Sequence, residues 1–306
     1  MASTATATLA RRRLGQNARL KQVIFKADDF GLSPAVNAAI ELAHREGVLD
    51  GASLMVGARF AADAVARAHR LPSLRIGLHL VVVAGRPVLP ASALPALVDA
   101  TGEFSQRLAR TGFRYFFLPA ARRQLAAEIR AQFEAFRATG LPLDHLDAHH
   151  HLHLHPTVLG LLIRIGREYG LRAVRVPHEP PGLALLADEP GHWGRWLSAL
   201  LLAPWIALVK YRLRRAGLRT TDRVVGLHDT GRMTATRLLK VLQALPAGST
   251  EIFCHPALSD AEGPWPLAVA ASRAELDALL DPEVQALITS LRINHGGFCD
   301  LPRPNS

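Results

Sequence analysis

The chain has 306 residues, long enough for one large domain, and its 49% hydrophobic and 20% charged composition excludes a disordered protein. A net charge of +10 points to an anionic partner, but 6% aromatic residues without a stacking motif exclude a nucleic-acid module. Cys254 and Cys299 lack CxxC spacing, which indicates a reduced, cytoplasmic setting, and no run of 18 apolar residues offers a membrane span.

Residues 1–20 form a Thr/Ala-rich leader with Arg11, Arg12 and Arg13 but without the apolar stretch of a signal peptide. They are expected to be a flexible arm before a single domain at 21–302. Val23 to Ala27 reads as a buried strand running into an Asp28-Asp29-Phe30-Gly31 loop. Ser33 caps the helix that follows, with Pro34 at its first position and Gly47 closing it. A strand at 52–56, a helix at 60–69 and a strand at 75–80 come next, the last ending at His79. Residues 81–118, rich in Pro, Gly and small residues, read as a long excursion around the site.

Leu125, Ile129, Phe133 and Phe136 share one face of a helix that Gly140 ends. After it come a strand at 143–148 and a helix at 156–170. Strands at 173–176, 223–227, 251–254 and 291–294 bring the candidates to eight, with helices at 234–245 and 272–280. Alternating strands and helices indicate an α/β class with a parallel sheet, and eight units indicate a distorted TIM-like (β/α) barrel. An apolar helical insertion near 180–222, bounded at 178–222, interrupts the alternation.

Asp28, Asp29, His79, His149, His228, His255 and His295 all fall at or just beyond the carboxyl ends of these strands, where barrel enzymes place their chemistry. The densest signal is His145-Leu146-Asp147-Ala148-His149-His150-His151-Leu152-His153-Leu154-His155, six of the fourteen histidines within eleven residues. On an extended chain 145, 147 and 149 share one side. Imidazole and carboxylate together suit Zn and other divalent ions. A solvated His-rich loop is the plainer reading of the tract, and a capped turn that of Asp28-Asp29. Two adjacent carboxylates repel unless they share a cation or a proton, so one can bind a metal while the other acts as a base.

Ala27-Asp28-Asp29-Phe30-Gly31-Leu32-Ser33, Gly77-Leu78-His79-Leu80, His145 through Pro156, and Cys254-His255-Pro256 together resemble the YdjC-like carbohydrate deacetylases, in order over nearly the whole chain. That resemblance implies a distorted barrel that removes acetyl groups from N-acetylated sugars with one divalent metal ion. Zinc or magnesium comes first, and manganese, cobalt or nickel also suit the ligands. It makes Asp29, His79 and His149 the metal ligands, Asp28 the general base and His255 the general acid. Asp147 and His151 are then expected to orient ligands, while Arg175 and His228 are expected near the substrate.

The insertion carries Trp193, Trp196 and Trp205 among leucines, then Lys210, Arg212, Arg214 and Arg215, with no Asp or Glu between Glu189 and Asp222. An apolar, Trp-bearing segment beside arginines suits a membrane interface, though packing over the barrel or against a second copy fits the same composition. With Gly226-Leu227-His228-Asp229-Thr230-Gly231 it resembles the hopanoid-biosynthesis-associated branch of the family. That branch implies an N-acetylglucosaminyl lipid substrate, while the segment itself points to peripheral contact at the inner face of the membrane. A soluble chitooligosaccharide deacetylase and a His-rich metal-binding protein without catalysis are the alternatives.

Overall fold

The first apolar run becomes the central strand. β1 (Lys21–Phe30) pairs with β6 (Gly248–Cys254) from Lys21↔Gly248 to Ala27↔Cys254. Its other edge pairs with β2 (Gly51–Leu54) and, nearer its start, with β7 (Asn294–His295). β3 (Arg75–Leu80) and β4 (Leu146–Ala148) extend the sheet on one side and β5 (Arg223–Val225) on the other, all parallel, in the order β4-β3-β2-β1-β6-β5. The computed structural model describes residues 21–184, 192–258 and 269–302. The arm expected at 1–20, the side chains of Trp193 and Trp196, and residues 185–191 and 259–268 lie outside it.

The sheet curls toward a barrel. The Leu146 N–H donates to Ala173 O and the Arg175 N–H to Leu146 O, while the Val174 N–H donates to Arg219 O and the Val224 N–H to His178 O. Residues 173–178 thereby link the two sheet edges. The strand expected at 173–176 is present only as isolated bridges, Leu146↔Val174 and Ala173↔Arg219. Pro177, with no N–H to donate, follows at once and prevents a longer ladder.

The helices are α1 (Pro34–Glu46), α2 (Ala61–His69), α3 (Leu108–Phe117), α4 (Pro119–Ala138), α5 (Pro156–Glu168), α6 (Pro181–Ala184), α7 (His192–Arg215), α8 (Ala235–Ala244), α9 (Val269–Leu280) and α10 (Pro282–Ser290). Ser33 caps α1, its Oγ accepting from the Val36 N–H at 3.2 Å. The stripe of Leu125, Ile129, Phe133 and Phe136 on α4 is fully buried, as its spacing predicts.

Three expectations need correction. The strand that opens the chain does not stop at Ala27 but runs through both aspartates to Phe30. The excursion at 81–118 contains α3, whose periodicity is hidden because Phe113, Phe116 and Phe117 face outward and only Thr111 and Tyr115 are buried. The last strand, expected at 291–294, is the two-residue β7. It pairs with Gln22 and Val23 at the start of β1, so His295 lies at the end of the sheet opposite the expected rim, where its Nδ1 meets Asp50 Oδ1 at 2.6 Å.

The described part of the insertion holds the short α6 and the long α7, which has Pro204 inside it. Ile206, Val209 and Leu213 face inward, while Leu197, Leu200, Leu201 and Leu202 are more than half exposed. Trp205 is half-buried and its indole N–H donates to Leu154 O at 3.1 Å, so this tryptophan docks the helix and does not face solvent. No helix among the described residues is long and apolar enough to cross a membrane.

Candidate metal centre and active site

The site begins with an irregularity in β1. Ala27 pairs with Ala52 and Phe30 with Leu54, so β1 uses one residue more than β2 over the same stretch. In a regular strand neighbouring side chains face opposite ways. The extra residue, with Asp29 at φ 62°, lets Asp28 and Asp29 both reach the neighbourhood of His79. Aspartate tolerates this left-handed conformation better than most residues.

Asp29 Oδ1, His79 Nε2 and His149 Nδ1 form a triangle with sides of 3.3, 3.3 and 3.4 Å. Ligand atoms about 2.0–2.1 Å from one tetrahedral ion stand about 3.3–3.4 Å apart, so the spacing suits a shared cation. His149 is aimed by a sharp reversal, because His150 and His151 adopt φ 52° and 54° directly after β4. The other nitrogen of His79, Nδ1, lies 2.9 Å from Asp147 Oδ1, the contact that fixes a ligating imidazole. Burial disfavours a charge on His79, but Asp147, Asp29 and Asp28 outweigh it and raise its pKa to about 10. Burial likewise opposes ionisation of Asp29, while His149 and His79 hold its carboxyl well below the usual range. A proton and a divalent cation are interchangeable answers to this concentration of negative charge.

Beneath the triangle lies a buried ionic network. Arg175 donates to both oxygens of Asp28, at 2.6 and 2.9 Å, and to Glu251 Oε1 at 2.7 Å. Its guanidinium is also 3.0 Å from Asp147 Oδ2 and stands over the Phe253 ring, 4.3 Å from the centroid. Lys26 Nζ lies 3.0 Å from Asp28 Oδ1 and bonds Asp147 Oδ2. Burial would raise the Asp28 pKa, but Arg175 and Lys26 lower it well below the usual range, so Asp28 is ionised. Arg175, expected near the substrate, has no exposed surface and is engaged with Asp28.

Lys26 and Glu251 escape sequence reasoning, although a readable signal exists: each is a charge inside an apolar strand, in Val23-Ile24-Phe25-Lys26 and Glu251-Ile252-Phe253. A buried charge on a strand implies a buried partner.

The remaining expected residues separate. His255, after β6, is partly exposed, and its Nε2 is 4.0 Å from Asp28 Oδ2. Its backbone N–H donates to the buried Glu275 at 2.6 Å, which sets the loop. His151 stands edge-on to Phe253, ring centroids 5.8 Å apart, and burial followed by the charge of Arg175 keeps it neutral. Asp147, and not His151, contacts a proposed ligand. His228 is half-buried beyond β5, its N–H 3.2 Å from Glu179 Oε2. Burial and nearby Asp229 push Glu179 up to about 7.

Comparison with known proteins decides the family: the description YdjC-like protein matches residues 22–290. The chain belongs to the YdjC-like family. Among its relatives, a carbohydrate deacetylase of Brevibacillus brevis is 40% identical over 162 residues, 53% of this chain and 60% of that protein. The match thus spans less than two-thirds of that relative. A carbohydrate deacetylase of Thermoanaerobacter pseudethanolicus is 28% identical over 244 residues, 79% of this chain and 84% of that protein. The crystal structure of an Enterococcus faecalis protein described in terms of cellobiose-phosphate cleavage superposes with a TM-score of 0.72 at 24% identity. That pairing covers 91% of this chain and 98% of the other, a likeness of fold.

Proposed function

We propose that this YdjC-like protein is a metal-dependent carbohydrate N-deacetylase that hydrolyses the acetamide of an N-acetylglucosaminyl unit to acetate and a free amine. The observation that carries this reading is the 3.3–3.4 Å triangle of Asp29, His79 and His149 beside an ionised Asp28. A divalent ion held there would polarise the acetyl carbonyl and acidify water. Asp28, ionised and gripped by Arg175, accepts the proton of the attacking water. His255 delivers a proton to the departing nitrogen, and its Nε2 is near enough to Asp28, at 4.0 Å, for one substrate group to touch both.

The storage reading is disfavoured by the fate of the histidine tract. His153 Nε2 bonds Arg175 O at 2.9 Å, and His155 packs on Phe116, ring centroids 6.2 Å apart. Among the described residues the only groupings able to share an ion are Asp29/His79/His149 and Asp28/His79/Asp147.

For the substrate, we infer a lipid-linked sugar such as N-acetylglucosaminyl-bacteriohopanetetrol, met at the inner face of the membrane. The support is the exposed row of Leu197, Leu200, Leu201 and Leu202 on α7. The second reading is a chitooligosaccharide, and the carbohydrate deacetylase relatives fit either substrate. Mass spectrometry of the protein incubated with each substrate tests both. Loss of one acetyl group from the lipid supports the first, loss from N,N'-diacetylchitobiose alone the second, and loss from neither removes the deacetylase reading.

A further inference from the structure

Outside the catalytic rim, a cavity of about 620 Å³ opens between the first turns of α4 and α5, beside the end of α3. Phe116, Arg122, Arg123, Thr157 and Arg164 are among the residues that line it, and no acidic residue does. The charge is concentrated in sequence as well: residues 104–127 hold five arginines and no Asp or Glu. Arg122 is occupied, donating to Tyr115 O at 3.3 Å and to Phe116 O at the end of α3. The Arg123 guanidinium makes no hydrogen bond or ion pair with the described residues. Glu168, the acidic neighbour of Arg164, is already held by two nitrogens of Arg130, at 2.5 and 3.0 Å. Neither Arg123 nor Arg164 thus makes a close ion pair among the described residues, Arg164 keeping only a longer-range attraction to Glu168.

An aromatic cluster stands at its edge. Phe113 is 61% exposed and Phe117 58%, with ring centroids 4.5 Å apart, and Leu118 beside them is exposed too. Large apolar side chains contiguous with unpaired arginines are the composition that an anionic bilayer surface matches, apolar residues entering the acyl boundary and cations meeting phosphate. The groove is also near the rim. α5 follows the His149–Leu154 turn after one residue, His155 stands against Phe116, and α7 comes alongside through Trp205 bonded to Leu154 O.

We propose that this groove and the aromatic end of α3 form a docking site for an anionic phospholipid surface, Arg123 and Arg164 receiving lipid phosphate while Phe113 and Phe117 enter the apolar boundary. It extends the membrane contact inferred for α7 and is independent of the deacetylation chemistry.

The test is sedimentation of the full chain with phosphatidylcholine vesicles, with and without phosphatidylglycerol. The protein should partition onto the anionic vesicles, less so in high salt. Arg123→Glu with Arg164→Glu should reduce partitioning by about tenfold or more, and Phe113→Ser with Phe117→Ser should reduce it even at low salt. All four residues are exposed, so circular dichroism should show intact folds, and acetate release from N,N'-diacetylchitobiose should match that of the unaltered chain. Failure of the unaltered chain to sediment with anionic vesicles, or unchanged partitioning of the arginine variant, overturns the proposal. Full displacement by inorganic phosphate at constant ionic strength overturns it too, in favour of a site for a soluble anion. If no substrate is deacetylated, the vesicle measurement still reads the docking site alone.

Discussion

Arg175 holds Asp28 by both carboxylate oxygens, at 2.6 and 2.9 Å, from a side chain with no exposed surface. The same guanidinium reaches Glu251 and Asp147, so one residue fixes the proposed base and offsets the negative charge beneath the proposed metal ligands. Removing it leaves Lys26 to face three buried carboxylates. Arg175→Met should therefore destabilise the fold by roughly 3–5 kcal/mol in urea denaturation, the scale for breaking one partner of a buried pair. Adding Glu251→Met should recover part of that loss, because it removes one uncompensated charge. Equal stability of the single and double variants would contradict the network.

Metal content separates ligands from base. His79→Ala and Asp29→Asn should each lower divalent-ion stoichiometry and activity together, read by elemental analysis and acetate release. Asp28→Asn should retain the ion and lose turnover by roughly a hundredfold or more, the scale of a positioned base. Full occupancy in His79→Ala would remove that residue from the ligand set.

Acid should weaken the metal-free fold before the carboxylates titrate. Burial lowers the His153 pKa from 6.5 to about 4. A folded pKa below the unfolded one means this contribution is complete above pH 6.5 and drains as pH falls toward 4. The loss is roughly 3 kcal/mol at about 1.4 kcal/mol per pH unit. His153→Gln keeps a donor for Arg175 O and cannot titrate, so its urea midpoint should vary less across that window. Parallel curves for the two proteins would refute the assignment.

Gly77 is required by a neighbour. A Cβ there would lie 2.3 Å from His145 Nε2. That imidazole is held in place by Asp144 Oδ2 at 2.9 Å and Ser53 Oγ at 3.0 Å, all three buried. Gly77→Ala should cost about 1–3 kcal/mol through overpacking, and His145→Ala in the same chain should relieve part of it. Thermal unfolding of the single and double variants reads this directly.

The α7 face discriminates between substrates. Leu200→Ser with Leu201→Ser alters two exposed side chains and no proposed ligand. Activity on the lipid-linked sugar should fall by roughly tenfold or more while activity on N,N'-diacetylchitobiose is kept, each removed leucine forfeiting up to about 1.5–3 kcal/mol of apolar burial. Trp205 is unsuited to this test, because its N–H donates to Leu154 O and its loss would loosen the helix. Equal losses on both substrates would make the face structural.

The features legible along the chain are local. Alternation and helical periodicity placed β1, β3 and β4, the stripe on α4 and the cap at Ser33, because burying one face is dictated by spacing along the chain. The motifs placed Asp28, Asp29, His79, His149 and His255 near strand ends for the same reason. The tertiary structure decided the rest. Only the bulge in β1 turns Asp28 and Asp29 toward one centre, and only the parallel register of β7 puts His295 at the opposite end. Lys26 meets Asp147 across 121 residues and Arg175 meets Asp28 across 147. Such pairings are enforced by the cost of leaving a charge unpaired where no water reaches it, a cost that exists only once the barrel has closed around them.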